Sequence, residues 1–230
     1  MPKYFGYSAL LVLAMLTATS CMDSNLSENT YYESAWCVVQ GRGNQIALVT
    51  DANEILKPSE SLDSVRFKSG DRYRVFYIPL GNQSTYSTVS GTKLVEITNL
   101  QPVYVEGIRM REAFIGTVND PVWLNEDPFF GGGFLNFDFQ FYSSDTGIKH
   151  GIHLLQDSLV GRKLYLKFGH DANGDAKTIT TSALASFPTS SLKQASDADS
   201  LIIWIRDEVT SHSYRLALKD TLNNLRTAYP

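Results

Sequence analysis

Short apolar runs that alternate with polar residues dominate the chain from residue 35 onward. In the segment Arg72–Tyr77, the side chains of Tyr73, Val75 and Tyr77 fall on one face of a predicted strand. Comparable runs rich in β-branched and aromatic residues recur about every ten residues, without intervening helical periodicity. Turn-forming residues separate the runs, as at Lys57-Pro58-Ser59. The pattern predicts an all-β chain built as a sandwich or a barrel.

The clearest alternation lies in the segment Phe134–Phe141. One face of this segment is aromatic and the other is polar, which is typical of a half-buried antiparallel strand. The aromatic face consists of Phe137, Phe139 and Phe141, and the polar face consists of Asn136, Asp138 and Gln140. Gly131-Gly132-Gly133 precede the strand and predict a wide turn or a bulge. We therefore expect the three phenylalanines of the aromatic face to lie in the core.

A stretch with few periodic apolar residues, Glu106–Asn119, separates two groups of strands. The length of 230 residues suits one large or two small domains. We predict two β-domains, the first over residues 35–106 and the second over residues 120–219. Residues 107–119 are predicted to form the linker between them, and residues 220–230 a C-terminal tail.

The N-terminus has the three parts of a secretory signal peptide. Lys3 provides a cationic start, Phe5–Leu16 an apolar run, and Ala18-Thr19-Ser20 a small-residue cleavage site before Cys21. An apolar run this short cannot span a bilayer as a helix, which needs about 20 apolar residues. We predict a lipoprotein in which residues 1–20 are removed, Cys21 carries acyl chains such as palmitate, and residues 21–34 form a flexible tether. We expect an outer-membrane lipoprotein, and an unmodified secreted protein is the alternative. The sequence does not decide between the periplasmic face of that membrane and the cell surface.

Charge and cysteine content narrow the class of function. The formal net charge of −4 at pH 7 argues against a nucleic-acid partner, whose phosphates require a basic protein face. Once Cys21 is lipidated, Cys37 has no partner for an internal disulfide. A reactive thiol needs a nearby base or cation, and none is evident around Cys37 in the sequence. We therefore expect Cys37 to be a buried, inert thiol.

The order and spacing of several motifs resemble NigD-like lipoproteins of Gram-negative anaerobes. Besides the lipoprotein start and Trp36, these motifs are Leu56–Ser61, Gly70–Val75, Asn119–Pro121, Gly147–His150 and Leu166–His170. The resemblance implies an N-terminal OB-type barrel followed by a C-terminal β-sandwich, in agreement with the two predicted domains. It also implies a role linked to bacteriocin immunity, and it assigns no catalytic residue that could be carried over to this chain.

Motifs for catalysis or metal binding are incomplete in this sequence. His150 and His153 point to opposite faces of a strand, so they cannot share a tetrahedral metal site without a bulge. Asp171–Asp175 resembles the start of a calcium loop, but Ala176 and Ser182 occupy the positions of the turn glycine and the closing glutamate. A polar turn explains that segment more simply. The sequence contains no Gly-x-Ser-x-Gly elbow and no phosphate-binding loop. We predict no metal site, no cofactor and no enzymatic activity.

Four triplets of the form Asp-Ser/Thr-apolar occur in the chain. They resemble the O-glycosylation sequence used on exported proteins of this bacterial group, with Ser64, Ser158, Ser200 and Thr221 as acceptors. Turn chemistry at strand edges explains the same triplets equally well, because Asp and Ser commonly precede strands. Both interpretations stay open.

Two classes of ligand remain for a binding protein without catalytic chemistry. A protein or peptide, such as a toxin, is favoured by the membrane tether and the two β-domains. A glycan is the alternative, with Trp36, Trp123 and Trp204 as stacking platforms. Each tryptophan lies within an apolar run, however, and we expect all three to pack in the core.

Overall fold

The computed structural model describes residues 32–42, 45–62, 67–80, 91–144 and 147–218. The predicted signal peptide, Cys21, Ser64 and Thr221 lie outside the described residues. Within the described ranges, no helix has the length and apolar character needed to cross a membrane.

The N-terminal part of the described chain is a closed five-stranded barrel. Its strands are β1 (Glu33–Gln40), β2 (Ala47–Thr50), β3 (Ile55–Pro58), β4 (Arg72–Pro79) and β5 (Thr92–Pro102). They close in the order β1-β2-β3-β5-β4, with β3 and β5 parallel and the other pairs antiparallel. A five-stranded Greek-key barrel of this kind is the OB-type architecture. The all-β fold class predicted from the alternation is therefore confirmed.

The barrel core is built from alternate residues of these strands. Val75 and Tyr77 point inward from β4 and are almost fully buried, as the alternation predicts. Cys37 is a free, fully buried thiol in the same cluster, and burial raises its pKa to about 12. This location confirms the prediction of a buried thiol. Lys57 and Pro58, predicted as part of a turn, instead end β3, where a proline is tolerated because it closes the strand.

The C-terminal part is a sandwich of two mixed sheets. The β10 sheet contains β6 (Tyr104–Val105), β8 (Trp123–Leu124), β9 (Phe129–Gly131), β10 (Phe134–Ser143) and β13 (Ile179–Pro188). The β12 sheet contains β7 (Arg109–Met110), β11 (Gly151–Val160), β12 (Lys163–Asp171), β14 (Ser200–Arg206) and β15 (Ser211–Ala217). In space the β12 sheet runs β15-β14-β12-β11-β7. Short 3-10 helices lie at Arg111–Ala113, Thr189–Ser191 and Ala195–Asp197.

Aromatic packing between the two sheets forms the sandwich core. Phe137 and Phe139 are fully buried and Phe141 nearly so, which confirms the predicted aromatic face. The ring of Phe137 stacks on that of Phe168 from β12, with centroids 4.4 Å apart. Asn136, predicted on the solvent side, is also fully buried, because the barrel covers that end of β10. The strand is therefore buried on both faces at this end.

The sandwich begins earlier in the chain than the sequence predicted. The strand β6, placed in the barrel domain by the sequence, pairs with β13, and β7, placed in the linker, pairs with β11. Val118 is 2% exposed and packs over β12 so closely that a Cβ at Gly169 would lie 2.4 Å from it. Strands of two residues carry no visible periodicity, which explains the difference in boundaries.

Candidate functional site

The outward side of the β12 sheet presents aligned side chains from three neighbouring strands. Leu164 and Leu166 enter the core, so the residues between and beside them point outward. The parallel register places Tyr165 beside Ile202 and Lys167 beside Trp204, and β15 places Arg215 beside Ile202. We call this surface the basic face and define it by Tyr165, Lys167, Ile202, Trp204, Arg206 and Arg215.

Positive charge surrounds the apolar centre of the basic face. Lys163 lies on the same side of β12, and Arg111 lies at the margin in the 3-10 helix that follows β7. Burial lowers the pKa of Lys167, and the nearby charges of Arg111 and Arg206 lower it further. Within the described ranges, none of the five cations Arg111, Lys163, Lys167, Arg206 and Arg215 forms an ion pair. Lys167 Nζ donates to the neutral side chain of Asn119 at 2.8 Å, which does not compensate its charge. The charge of these cations is therefore available to a ligand.

A depression of about 400 Å³ opens on the basic face. Trp204 lines it with 43% of its surface exposed, and Val160 is 61% exposed at its margin. The remaining lining comes from Arg111, Asp157, Ser158, Tyr165, Leu166 and Lys167. The prediction that Trp204 packs in the core is wrong, because it occupies an outward position between the buried residues Ile203 and Ile205. The depression thus combines an exposed indole with cationic side chains.

The other two tryptophans lie elsewhere. Trp36 is 8% exposed and contacts Phe129 edge-on, with ring centroids 5.6 Å apart, so its predicted burial is confirmed. Trp123 is half-buried on the outward side of the β10 sheet, where it aligns with Gln140 and contacts Tyr142. Its predicted place in the core is therefore wrong as well.

A buried arginine joins the barrel to the sandwich. The side chain of Arg72 has no exposed surface, and its Nη2 donates to Asp51 Oδ2 of the barrel at 2.6 Å. The same guanidinium donates to Asn136 Oδ1 at 3.1 Å and to Ser186 Oγ at 2.8 Å, both in the sandwich. Its Cζ atom also lies over the ring of Phe134, 4.3 Å from the ring centroid. Arg72 therefore serves internal structure and offers no charge to a nucleic acid.

The glycine-rich segment before β10 accommodates this contact. Gly132 and Gly133 have φ values of 56° and 83° and form a tight turn between β9 and β10, where the sequence predicted a wide turn or bulge. A Cβ at Gly132 would lie 2.2 Å from a carboxylate oxygen of Asp51. The absence of a side chain at this position lets Asp51 approach the turn backbone.

Two of the histidines form a buried cluster with Asp175. His150 Nδ1 lies 2.7 Å from His170 Nε2, and His150 Nε2 lies 3.0 Å from Asp175 Oδ2. His153 points elsewhere, with its Nδ1 2.8 Å from Glu106 Oε2, so the prediction that His150 and His153 do not share a site is confirmed. The side chain of His150 is only 7% exposed, so this histidine is buried.

The hydrogen bonds of this cluster support internal structure. Ser144 donates through its backbone N–H and its hydroxyl to Asp175. Asp175 Oδ1 also accepts from the backbone N–H of Ala176 at 2.8 Å, and Asp171 Oδ1 accepts from that of Asn173 at 2.9 Å. These carboxylates bind the turn itself, as the polar-turn interpretation of Asp171–Asp175 expects.

The predicted O-glycosylation acceptors differ in their accessibility. Ser158 is half-buried at the margin of the depression, with its Oγ 3.3 Å from Asp157 Oδ2. Ser200 is 2% exposed at the start of β14, so a glycosyltransferase could not reach it in the folded chain. The prediction for Ser200 is corrected on this ground. Ser64 and Thr221 stay predictions because they lie outside the described residues.

The alternation of Lys163, Tyr165 and Lys167 was visible in the sequence, as was that of Ile202, Trp204 and Arg206. The sequence alone does not reveal the basic face, because this surface exists only when β12 and β14 lie side by side in parallel register. That pairing joins strands separated by about thirty residues, and no local pattern specifies it.

Comparison with known proteins identifies the second half of the chain. Residues 108–218 match the model of the NigD-like C-terminal beta sandwich domain. The chain carries a NigD-like C-terminal domain. This match confirms the resemblance seen in the sequence, and its first residue agrees with the place of β7 in the sandwich rather than in a linker. Among curated proteins, none matches the chain in sequence.

Several solved structures share the fold of this chain. A Bacteroides caccae protein described as a NigD-like immunity protein is 19% identical, with a TM-score of 0.57 over 82% of this chain and 97% of its own. A Parabacteroides distasonis protein provisionally described as toxin-related is 19% identical, with a TM-score of 0.63 over 86% of this chain and 99% of its own. A Bacteroides fragilis protein provisionally described as a lipoprotein is 11% identical, with a TM-score of 0.62 over 82% of this chain and 98% of its own. At these identities the likeness concerns the fold.

Proposed function

We propose that this protein is a non-catalytic binding protein, anchored by lipid at Cys21 to the outer membrane, whose basic face receives an acidic protein ligand. The observation that carries the proposal is the exposed Trp204 in a depression bordered by cations that form no ion pair with another described residue. A bacteriocin-like toxin is the ligand that fits the proposal best, because a structural relative is described as a NigD-like immunity protein. The envelope location is supported by the Cys21 cleavage site and by the relative described as a lipoprotein.

The composition of the basic face favours a protein over other ligands. Tryptophan, tyrosine and arginine are the residues that contribute most to protein–protein binding, especially around an apolar centre. A ring of cations accelerates association with an acidic partner and discriminates against basic ones. Nucleic acid is not favoured, because the whole chain has a net charge of −4. A membrane tether adds to affinity by raising the effective concentration of the protein for ligands at that surface.

The anchor is tested with Cys21→Ala. In cells fed radiolabelled palmitate, the unaltered protein should carry the label and sediment with outer membranes. The variant should lose the label and move to the soluble fraction, because no acyl chains remain. Label and membrane association that both persist in the variant would contradict the anchor without affecting the ligand-binding part of the proposal.

The basic face is tested with a photo-reactive amino acid at position 204 in the full chain. Illumination of cells should yield a covalent adduct with an acidic protein. The adduct should fall at least tenfold with Lys167→Glu and Arg206→Glu together, because reversal of two charges repels that partner. Lys57→Glu with Lys68→Glu is the matched control on the exposed barrel surface and should leave the adduct unchanged. Equal loss in both variants, or no loss in either, would contradict the proposed surface.

A further inference from the structure

A second concave surface lies between the barrel and the sandwich, away from the basic face. It encloses about 720 Å³, within the range of small-ligand sites. The barrel contributes Arg74, Phe76 and Gln101, and the sandwich contributes Asp138 among others. Tyr104 lies on its wall with 46% of its surface exposed.

The floor of this cavity continues along the outward side of the β10 sheet. The register aligns Asp138 with Leu184, Gln140 with Ser182, and Tyr142 with Thr180. On the neighbouring strand β8, Trp123 aligns with Gln140, and its ring centroid lies 4.8 Å from that of Tyr142. From Asp138 to Tyr142 the strand rises by roughly 14 Å, since each residue adds about 3.4 Å. We call this surface the polar trough, defined by Arg74, Phe76, Tyr104, Trp123, Asn125, Asp138, Gln140, Tyr142 and Ser182.

The charges in the polar trough are compensated internally. Arg74 Nη1 donates to Asp138 Oδ2 at 2.7 Å, and Asn125 Nδ2 donates to Asp138 Oδ1 at 2.7 Å. Gln140 Nε2 in turn donates to Asn125 Oδ1 at 2.7 Å. These bonds fix the side chains in place before any ligand arrives. Each amide keeps a second N–H and a second carbonyl lone pair for further bonds.

We propose that the polar trough binds a neutral saccharide chain. Amide groups that can both donate and accept match sugar hydroxyls, which also do both. The aromatic rings of Tyr104 and Trp123 offer apolar faces for the C–H surfaces of sugar rings. A charged ligand would gain little, because Arg74 and Asp138 already neutralise each other. The length of the strip exceeds a single sugar ring, so an oligosaccharide is the class of ligand that fits.

The site lies on the opposite sheet of the sandwich from the basic face and is independent of the acidic protein ligand proposed above. The two surfaces also differ in charge. The cations of the basic face form no ion pair within the part of the chain that the structure describes, whereas the polar trough presents a compensated pair. A saccharide in the trough would therefore leave the basic face free for its protein ligand.

Calorimetric titration of the full chain in detergent tests the proposal, with neutral hexasaccharides of glucose, mannose and xylose as separate probes. At least one probe should bind, and Trp123→Ala and Gln140→Ala should each weaken its binding at least tenfold. Trp204→Ala, on the basic face, is the matched control and should bind as the unaltered protein does. Thermal unfolding of each variant shows whether it is folded, and Trp123→Phe should retain part of the affinity if the ring is the contact.

Three outcomes would overturn the saccharide site. Failure of all three probes to bind at millimolar concentration is the first. The second is binding that Trp204→Ala weakens as much as Trp123→Ala does, since the probe would then contact the basic face. The third is preference for a polyglutamate peptide over every neutral probe in the same titration, with the peptide affinity lowered by Gln140→Ala.

Discussion

Arg72 is a buried cation between the barrel and the sandwich. Together with Arg74 it lies on a strand of an OB-type barrel, a pattern that can signal nucleic-acid binding. In the structure, Arg72 pairs with Asp51 and Arg74 pairs with Asp138. The alternation that places Tyr73, Val75 and Tyr77 on one face of β4 places both arginines on the other face. It could not predict what covers them, because their partners are more than twenty residues or a whole domain away.

Removal of the Arg72 side chain should be costly. Arg72→Ala leaves the Asp51 carboxylate partly buried without its cation and leaves Asn136 and Ser186 with fewer partners, which should lower the free energy of unfolding by about 3–5 kcal/mol. Urea denaturation followed by tryptophan fluorescence measures this change. Arg215→Ala, at an exposed position of β15, is the control and should cost less than about 1 kcal/mol. A similar small loss for Arg72→Ala would mean that the buried pair contributes little.

Acid should destabilise the folded chain through His170. Burial and the neighbouring His150 lower the pKa of His170, an effect that Asp120 and Asp171 oppose in part. The folded protein therefore holds His170 neutral where the unfolded chain would begin to bind a proton. Its contribution to stability is present above the unfolded pKa of about 6.5 and is lost as the pH falls below that value. Urea titrations from pH 7.5 to pH 5 should show a smaller decrease for His170→Gln than for the unaltered protein. An equal decrease in the free energy of unfolding of the two proteins would mean that titratable groups other than His170 cause the loss.

Two neighbouring elements, β10 and β13, differ in how readily they can be predicted. The alternation of three phenylalanines predicts the strand β10 from the sequence. Its partner β13 shows no comparable alternation, although it pairs with β10 over ten residues. Phe137 and Phe139 lie opposite Ala185 and Ala183, so the bulk of one strand is complemented by the small residues of the other. Alanine and serine give a weak alternation signal, and the size of their partners is what makes them suitable here.

The aromatic face of β10 should dominate the stability of the sandwich. Phe139→Ala removes a fully buried ring from between Phe141 and Phe168 and should cost about 3–5 kcal/mol, because the surrounding side chains cannot fill the cavity. Equilibrium denaturation gives the value directly. Gln140→Ala, the next residue on the outward side, should cost less than about 1 kcal/mol. A loss below 1 kcal/mol for Phe139→Ala would show that the core can rearrange around this position.

At the scale of the whole molecule, the barrel and the sandwich each have a core of their own. A third, smaller cluster lies between them, where Trp36 of β1 packs with Val103, Leu184 and Phe129. The sequence predicted the two cores because each is built from local alternation. The polar part of the contact between them joins Arg72 to Asp51, Ser186 and Asn136, and the alternation assigns Asn136 to solvent. Local alternation does not specify how two domains pack against each other. The contact between the barrel and the sandwich is therefore visible only in the structure.

The two halves should fold separately but with reduced stability. Divided before Tyr104, where β6 joins the sandwich, each half keeps its own core and should give a β-type circular dichroism spectrum and dispersed NMR signals. The midpoint of denaturation should be lower for each half than for the intact chain, because the division breaks the hydrogen bond between Arg72 and Asn136. Limited proteolysis of the intact chain should cut before residue 32 and then near Ile115, which is 99% exposed. Two unfolded halves would contradict separate folding.

The close approach of Asp51 to Gly132 has a consequence for how sequences of this kind can diverge. A side chain at position 132 would meet the Asp51 carboxylate, and a shorter residue at position 51 would leave Arg72 without its partner. A substitution at only one of these two positions should therefore lower the stability of the fold. Among descendants of this chain, positions 51, 72 and 132 should be inherited or replaced as a set, although residue 132 lies more than eighty positions from residue 51. A barrel and a sandwich that are recombined from different lineages should then dock only when both carry matching members of that set.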